Sequence, residues 1–260
     1  MIDQEVVKKQ FDIKGKVAIV TGATGNLGES VSWGFAYAGA KIMLTGRNEE
    51  KLKTIHEEMQ SKGFECAYTV GNPVNEEDVE KVVAETIRKF GKIDILLTAA
   101  GMNNPKPILE QSTGEWQDIM DANVKGTWLY CKKVGEVMKN QGEGGKVILV
   151  SSTRGKSGMK GYTAYSPSKA AIDLMAKSLA CEWGEYGINV NAIGPTVFRS
   201  DLTEWMFHDE TARTKFLTRI PIGRLGEPED YIGVCTFLAS SASDFITGTT
   251  IYVDGGYLAG

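Results

Sequence analysis

The sequence predicts an α/β protein of the doubly wound kind: a single domain whose seven-stranded parallel sheet carries helices on both faces. Two observations predict it. Short aliphatic or β-branched runs recur seven times, each too short and continuous for a helix and suited to a strand buried on both faces. Segments of helical periodicity separate them, and such β-α alternation lays parallel strands side by side with helices as crossovers.

In chain order the strand candidates are KVAIV (16–20), KIMLT (41–45), CAYTV (66–70), IDILLTA (93–99), GKVILVS (145–151), INVNAI (188–193) and TIYVDG (250–255). The first is followed by closely spaced glycines and the helical segment SVSWGFAYAGA. Helices are expected over Glu49 to Lys62 and Glu76 to Phe90, the second with Asn75 as N-cap and acids in its first turn. Thr196 to Arg219 has no strand pattern but is rich in aromatics (Phe198, Trp205, Phe207, Phe216). It reads as a substrate loop inserted after the sixth strand, on the carboxyl edge where such sheets bind ligands. With no internal repeat, linker or shift of composition, one domain is expected over residues 1–260.

Composition excludes several classes of function. The 260 residues are 42% hydrophobic and 24% charged, with a net charge of −4 and basic residues scattered among acids. No nucleic-acid partner is expected from that pattern. Four cysteines (Cys66, Cys131, Cys181, Cys235) stand far apart and only two histidines exist (His56, His208), so reduced thiols and no metal site are expected. The opening MIDQEVVKKQFDIKGK carries charges where a signal peptide needs an apolar core. No later run approaches the roughly 20 apolar residues of a membrane span, and a cytoplasmic protein without a membrane partner is expected.

The stretch TGATGNLG, residues 21–28, places glycines at 22, 25 and 28 between the first strand and its helix. Backbone N–H groups and a helix N-terminus in that arrangement receive a pyrophosphate, and glycine is needed where φ is positive or a side chain would strike the phosphates. A tight connection is the plainer alternative; the position in the first βαβ unit favours dinucleotide binding. Thr45, Gly46 and Arg47 end the second strand, where an acid would bond the ribose 2′-hydroxyl of NAD. Arg47 can pair with the 2′-phosphate of NADP instead, unless it is a solvated residue before the Asn48 cap. NADP is therefore the expected cofactor, with NAD possible.

Downstream, Tyr165 and Lys169 are spaced i, i+4, which puts both on one face of a helix. An ammonium beside a phenol favours the phenolate and brings its pKa toward the range of proton transfer. Tyr162 is a competing phenol.

In combination these features resemble the short-chain dehydrogenase/reductase family from about Phe11 to the C-terminus, and more closely its gluconate 5-dehydrogenase-like and L-xylulose reductase-like branch. The matching residues are the glycine loop at 21–28, TAAG at 98–101, Asn123 in DANVKG, Ser152 in VSSTRG, YSPSK at 165–169, GPT at 194–196, RLGEPED at 224–230 and the closing ITGTTIYVDGG. The resemblance implies a Rossmann fold and interconversion of a secondary alcohol and a ketone by hydride transfer with NAD(P). It implies that Tyr165 is the general acid/base, that Lys169 lowers its pKa and bonds the nicotinamide ribose, and that Ser152 holds the substrate oxygen. Asn123 would anchor a water in the proton relay. The remaining alternatives are that Ser151 faces the substrate, that Asn123 only bonds backbone, and that Tyr162 is the phenol in the site. Cofactor contacts implied are Gly22, Thr24, Gly25, Asn26, Leu27, Gly28, Arg47, Asn72, Pro73, Ala100, Gly101, Tyr165, Lys169, Pro195, Thr196, Phe198 and Ser200. A homotetramer built on the helices containing Asn123 and Tyr165 is implied as well.

Departures from the family pattern are specific. Asn26 stands where a glycine is usual; asparagine tolerates a left-handed backbone best among other residues, so Asn26 is expected there. Thr98-Ala99-Ala100-Gly101 replaces Asn-Asn-Ala-Gly, Asn72 replaces an acid expected to meet adenine, and Thr196 and Ser200 replace the common glycine and threonine.

For the substrate, Ser152, Arg154, Met159, Tyr165 and Trp205 are the candidate contacts. Arg154, Lys156, Asn103, Asn104 and Arg199 suit a sugar, polyol or sugar acid, one arginine forking onto a carboxylate. Met102, Met159, Phe198, Trp205, Met206 and Phe207 would equally line a pocket for a cyclic or aromatic ketone. The leading function is an NADP-preferring oxidoreductase interconverting a secondary alcohol and a ketone on a sugar, polyol or sugar acid. A non-catalytic cofactor-binding sensor, and epimerisation or dehydration on the same fold, are the alternatives.

Overall fold

The computed structural model describes residues 4–200 and 203–260, apart from the side chains of Gln4, Lys8, Trp205, Met206, Ala212 and Lys215. All seven expected strands form: β1 (Val17–Thr21), β2 (Lys41–Gly46), β3 (Cys66–Val70), β4 (Ile95–Thr98), β5 (Gly145–Val150), β6 (Ile188–Pro195) and β7 (Thr250–Val253). They pair in parallel in the order β3-β2-β1-β4-β5-β6-β7. The chain works outward from β1 to β3 and then restarts at β4 on the other side. Loops after β1 and β4 therefore diverge and leave a crevice at the carboxyl edge, the ligand position of open α/β sheets.

Alternating side chains of each strand feed two cores. Ala18 and Val20 pack with α2 (Asn26–Tyr37), α3 (Glu49–Ser61) and α10 (Glu229–Ala239) on one face. Ile19 and Leu96 pack with α4 (Glu76–Phe90), α6 (Gly126–Gln141) and α7 (Tyr165–Trp183) on the other. This double burial is why the strands are continuous apolar runs. The expected caps are present: the Asn48 and Asn75 side chains each accept a bond of 3.0 Å, from the N–H groups of Lys51 and Asp78. Gly91 closes α4 in the left-handed region at φ 83°.

Other elements had no clear sequence signature. Helix α1 (Gln4–Gln10) precedes the sheet. Helix α5 (Thr113–Met120) begins with a reciprocal capping box between Ser112 and Glu115. The expected loop after β6 contains two short helices, α8 (Glu204–His208) and α9 (Glu210–Leu217). Among the described residues no helix is long and apolar enough to cross a membrane, and no cluster of metal-binding side chains occurs.

Candidate active site

The glycine loop gives each glycine a different task. Gly22 has φ +62°, and a Cβ there would lie 2.7 Å from the backbone nitrogen of Ala100. Gly25, the N-cap of α2, is extended at φ −94°, and a Cβ there would meet only the Gly22 carbonyl at 3.4 Å. Gly28 is buried under the turn, where a Cβ would fall 2.3 Å from the Gly22 oxygen. Gly28 thus sets the close approach of helix to turn and does not line the crevice. The left-handed conformation expected of Asn26 is not adopted: no described non-glycine residue has positive φ. Asn26 instead opens α2, because the chain reverses at Gly22 and is already extended at Gly25. Its side-chain Oδ1 accepts a hydrogen bond from the Tyr231 hydroxyl.

The crevice has two halves. One is lined by Gly22, Thr24, Gly25, Arg47, Asn72, Pro73 and Ala100. Arg47 is exposed there and makes no ion pair among the described residues. The Asn72 Oδ1 accepts from Val74 N–H at 3.4 Å, while the Asn72 N–H donates to Asp78 at 2.9 Å, so the residue caps the β3–α4 turn as well as facing the crevice. The other half, about 540 Å³, is lined by Asn26, Leu27, Ser152, Tyr165, Lys169, Pro195, Thr196, Phe198 and Ser200, together with Arg154 and Met159. Gly101 borders both halves. A Cβ there would lie 2.9 Å from Asn123 Oδ1, so only glycine lets the floor lie this close.

These residues fit a dinucleotide. The Gly25 position leaves the N-terminus of α2 open to a phosphate, and the buried Thr196 Oγ1 has no partner among the described residues. An orphaned hydroxyl in a cleft is satisfied by a ligand amide.

The side chains expected to act together converge on the second half. Tyr165 begins α7 and Lys169 follows one turn later, with its Nζ 5.6 Å from the Tyr165 ring centre. Ser152 lines this cleft together with Tyr165, and its side chain acts to favour the phenolate. Its Oγ also accepts the Arg154 N–H at 3.1 Å and donates to the Pro195 carbonyl at 3.4 Å. Ser151, which lines the same cleft, commits its hydroxyl to the Lys169 carbonyl at 3.1 Å. Tyr162 stands edge-on to Tyr165, ring centres 5.7 Å apart, and lines the same cleft.

Asn123 lies in a π turn, Asp121–Lys125, between α5 and α6. One extra residue per turn widens the helix there, an irregularity frequent at functional sites. Its Nδ2 donates to the Met102 carbonyl (3.0 Å) and to Ser168 Oγ (2.9 Å), and its Oδ1 accepts the Met102 N–H (2.7 Å). The side chain thereby ties the loop after β4 to α7, so backbone bonding does occupy Asn123.

The charges differ from the simple expectation of a lowered phenol. Burial pushes the Tyr165 phenol above its ordinary value, against the lowering effects of the Ser152 side chain and the Arg154 charge, while Tyr162 adds to the rise. Burial brings Lys169 down to about 8, opposed by Asp173. Lys169 Nζ donates to the Val150 carbonyl at 2.9 Å, and with its pKa brought down to about 8 it has lost its charge where the raised phenol ionises, so it does not lower Tyr165 here.

Of the other polar candidates, Arg199 is not available to a substrate carboxylate. It bonds Glu227 (2.9 Å) and Glu204 (2.8 Å) and lies 4.0 Å over the Phe207 ring. Lys156 is exposed outside the cleft lining. Ser200 bonds Thr203 at 2.9 Å, and the Phe198 ring packs on Tyr231 at 4.7 Å. The Trp205 side chain, expected to meet substrate, lies outside the described residues, as does that of Met206. Two tyrosines missed in the sequence border these groups: Tyr231 at Asn26, and Tyr257, whose hydroxyl accepts from Arg154 Nη2 at 3.0 Å. The two partnerships span 205 and 103 positions of the chain, and no local pattern signals them.

A loop for a dinucleotide phosphate beside a Ser-Tyr-Lys cluster defines an NAD(P)-dependent oxidoreductase. Residues 22–258 match the family model described as enoyl-(acyl carrier protein) reductase, a branch of the short-chain dehydrogenases/reductases. An oxidoreductase of Mycobacterium tuberculosis (strain ATCC 25618 / H37Rv) is 44% identical over 96% of this chain and 94% of its own. The 2-dehydro-3-deoxy-D-gluconate 5-dehydrogenase of Dickeya dadantii (strain 3937) is 35% identical over 98% of this chain and 100% of its own. A gluconate 5-dehydrogenase from Burkholderia cenocepacia J2315, solved in complex with NADP and tartrate, superposes with a TM-score of 0.93. It is 30% identical, covering 98% of this chain and 99% of that one. The chain belongs to the short-chain dehydrogenase/reductase family, whose members act on CH–OH and C=O groups with NAD(P).

Proposed function

We propose that the protein interconverts a secondary alcohol and a ketone on a sugar acid, with NADP preferred to NAD. The observation that carries the substrate class is Arg154. It is 8% exposed, lines the cleft beside Ser152 and Tyr165, and has no carboxylate within ion-pair distance among the described residues. Burying a charge without a counter-charge is costly, and a substrate carboxylate supplies one. Ser157 and Tyr257 take two of its five N–H donors, leaving others for that carboxylate. Gluconate-type substrates in the names of relatives, and the tartrate of the Burkholderia complex, support the same class.

In reduction, the Tyr165 hydroxyl gives its proton to the substrate oxygen while Ser152 Oγ holds that oxygen; in oxidation the proton returns to Tyr165. NAD(P), when bound, supplies or accepts the hydride at nicotinamide C4. Lys169 would bond the nicotinamide ribose and restore the Tyr165 proton. Asn123 would brace this arrangement through Met102 and Ser168 and anchor the relay water. The Gly22–Gly28 turn, Arg47, Asn72, Pro73 and Ala100 would hold the adenosine diphosphate half, and Pro195, Thr196, Phe198 and Ser200 the nicotinamide half.

A panel of sugar acids, polyols and cyclic ketones, followed by NADPH absorbance, tests the substrate class. Arg154→Gln is expected to raise KM for the sugar acid by about 10- to 100-fold, the scale of a lost charge-assisted pair, and to leave KM for a neutral ketone unchanged. A wild-type enzyme that prefers neutral ketones to sugar acids would overturn the reading. Arg47→Asp is expected to weaken NADPH binding by about 10-fold and to reverse the cofactor preference. An unchanged preference would refute the 2′-phosphate contact.

The protein is further proposed to be a cytoplasmic homotetramer. Free thiols at Cys66, Cys131, Cys181 and Cys235 support a reducing compartment. Trp128 on α6 and Leu174 on α7 are 47% and 62% exposed, apolar area that subunit contact would cover. Light scattering is expected to give four times the 28.3 kDa chain mass, and a monomer would contradict the assembly.

A further inference from the structure

The cofactor loop departs from glycine at Asn26, and the side chain introduced there has a partner from the far end of the chain. Asn26 is the first residue of α2 and lines the nicotinamide half of the crevice. Its Oδ1 accepts the hydroxyl hydrogen of Tyr231, 205 positions away on α10. With the oxygen held toward Tyr231, the amide nitrogen and its two N–H donors turn away from that contact. They stand at a helix N-terminus, where unpaired backbone N–H groups already favour an anion. Ser30 Oγ fixes the same turn by donating to the Asn26 carbonyl at 2.8 Å.

Tyr231 is itself rigidly placed. It is 1% exposed, and its ring packs on Phe198 at 4.7 Å. Phe198 is seated on Gly226, where a Cβ would come within 2.6 Å of the ring. Gly226 N–H donates to the Val197 carbonyl at 3.0 Å, and Arg199 N–H donates to the Gly226 carbonyl at 2.9 Å. The root of the substrate loop, the start of α10 and the cofactor loop thus form one packed chain of contacts.

We propose that Tyr231 is a positioning residue for the cofactor. Its hydroxyl orients the Asn26 amide so that Nδ2 donates to the diphosphate of bound NADP(H), adding a side-chain donor to the backbone donors of α2. A purely structural pair would contribute to folding and leave cofactor affinity alone, and the two roles separate in a binding measurement.

The experiment is NADPH titration by fluorescence on the full-length wild type, Tyr231→Phe, Asn26→Ala and the double variant, with thermal melting of each in the absence of cofactor. Tyr231→Phe is expected to weaken NADPH binding about fivefold and Asn26→Ala by the same factor, as a hydrogen bond to a charged group implies. The double variant is expected to bind no more weakly than Asn26→Ala alone, because the hydroxyl acts only through the amide. Wild-type affinity in Tyr231→Phe with a lowered melting temperature would assign the pair to folding and overturn the proposal. Losses that multiply in the double variant would overturn it as well. Should Tyr231→Phe not fold, wild-type affinity in Asn26→Ala would be decisive against it.

Discussion

Replacing Tyr165 by Phe is expected to lower kcat by about 10³-fold while the Kd for NADPH stays within error of wild type. The factor is that of a positioned general acid/base, whose removal costs between about 10² and 10⁴ in rate. The ring keeps its place against Tyr162 and at the start of α7, so the change removes only the hydroxyl. Alcohol oxidation by the wild type is expected to rise with pH, because the phenol stands above its ordinary value and its deprotonated form accepts the proton. Ketone reduction needs the protonated form and is expected to fall over the same range. Stopped-flow hydride transfer and cofactor titration check both parts. Undiminished turnover in Tyr165→Phe would remove Tyr165 from the proton step.

Gly28→Ala is expected to destabilise the cofactor-free protein by about 1–3 kcal/mol, the usual cost of overpacking, and to weaken NADPH binding by about 100-fold. The new Cβ would lie 2.3 Å from the Gly22 oxygen and 2.8 Å from its carbonyl carbon, both backbone atoms of a turn held at φ +62°. No side chain can move aside, so the start of α2 must retreat from the loop and carry its N–H groups away from the phosphates. Gly25→Ala is the contrasting variant. Its Cβ meets the Gly22 oxygen at 3.4 Å but projects into the crevice. The melting temperature is expected to hold in Gly25→Ala while cofactor affinity falls. Equal melting temperatures for wild type and Gly28→Ala would show that the turn is slack.

Much of this was legible in the sequence because burial on both faces leaves a plain mark. VAIV (17–20) and VILV (147–150) are apolar without interruption, and each lies in an inner strand. The spacing of Ser152, Tyr165 and Lys169 was legible too, since one helix turn and one strand-end loop bring them together. What failed was conformation inside a loop and pairing across the fold. TGATGNLG says that glycines are needed but not which one bears positive φ, and the reversal at Gly22 left Asn26 helical. Arg199 looked free for a substrate because Glu227, its principal partner, lies 28 residues downstream. DANVKG carries no local mark of the π turn, and the partners of Asn123 there, Met102 and Ser168, lie 21 and 45 positions away.

The two cores on opposite faces of the sheet also divide the labour of the enzyme. Asn26, Gly28 and Tyr231 belong to helices of one layer, α2 and α10, and the roles proposed for them concern the grip on the cofactor. Asn123, Tyr165 and Lys169 belong to the π turn and α7 of the other layer, and the roles proposed for them concern the movement of the proton. The layers meet at the carboxyl edge of the strands. A small repacking in one core therefore reaches one half of the reaction first, which gives natural variation two separate dials: affinity on one face and turnover on the other.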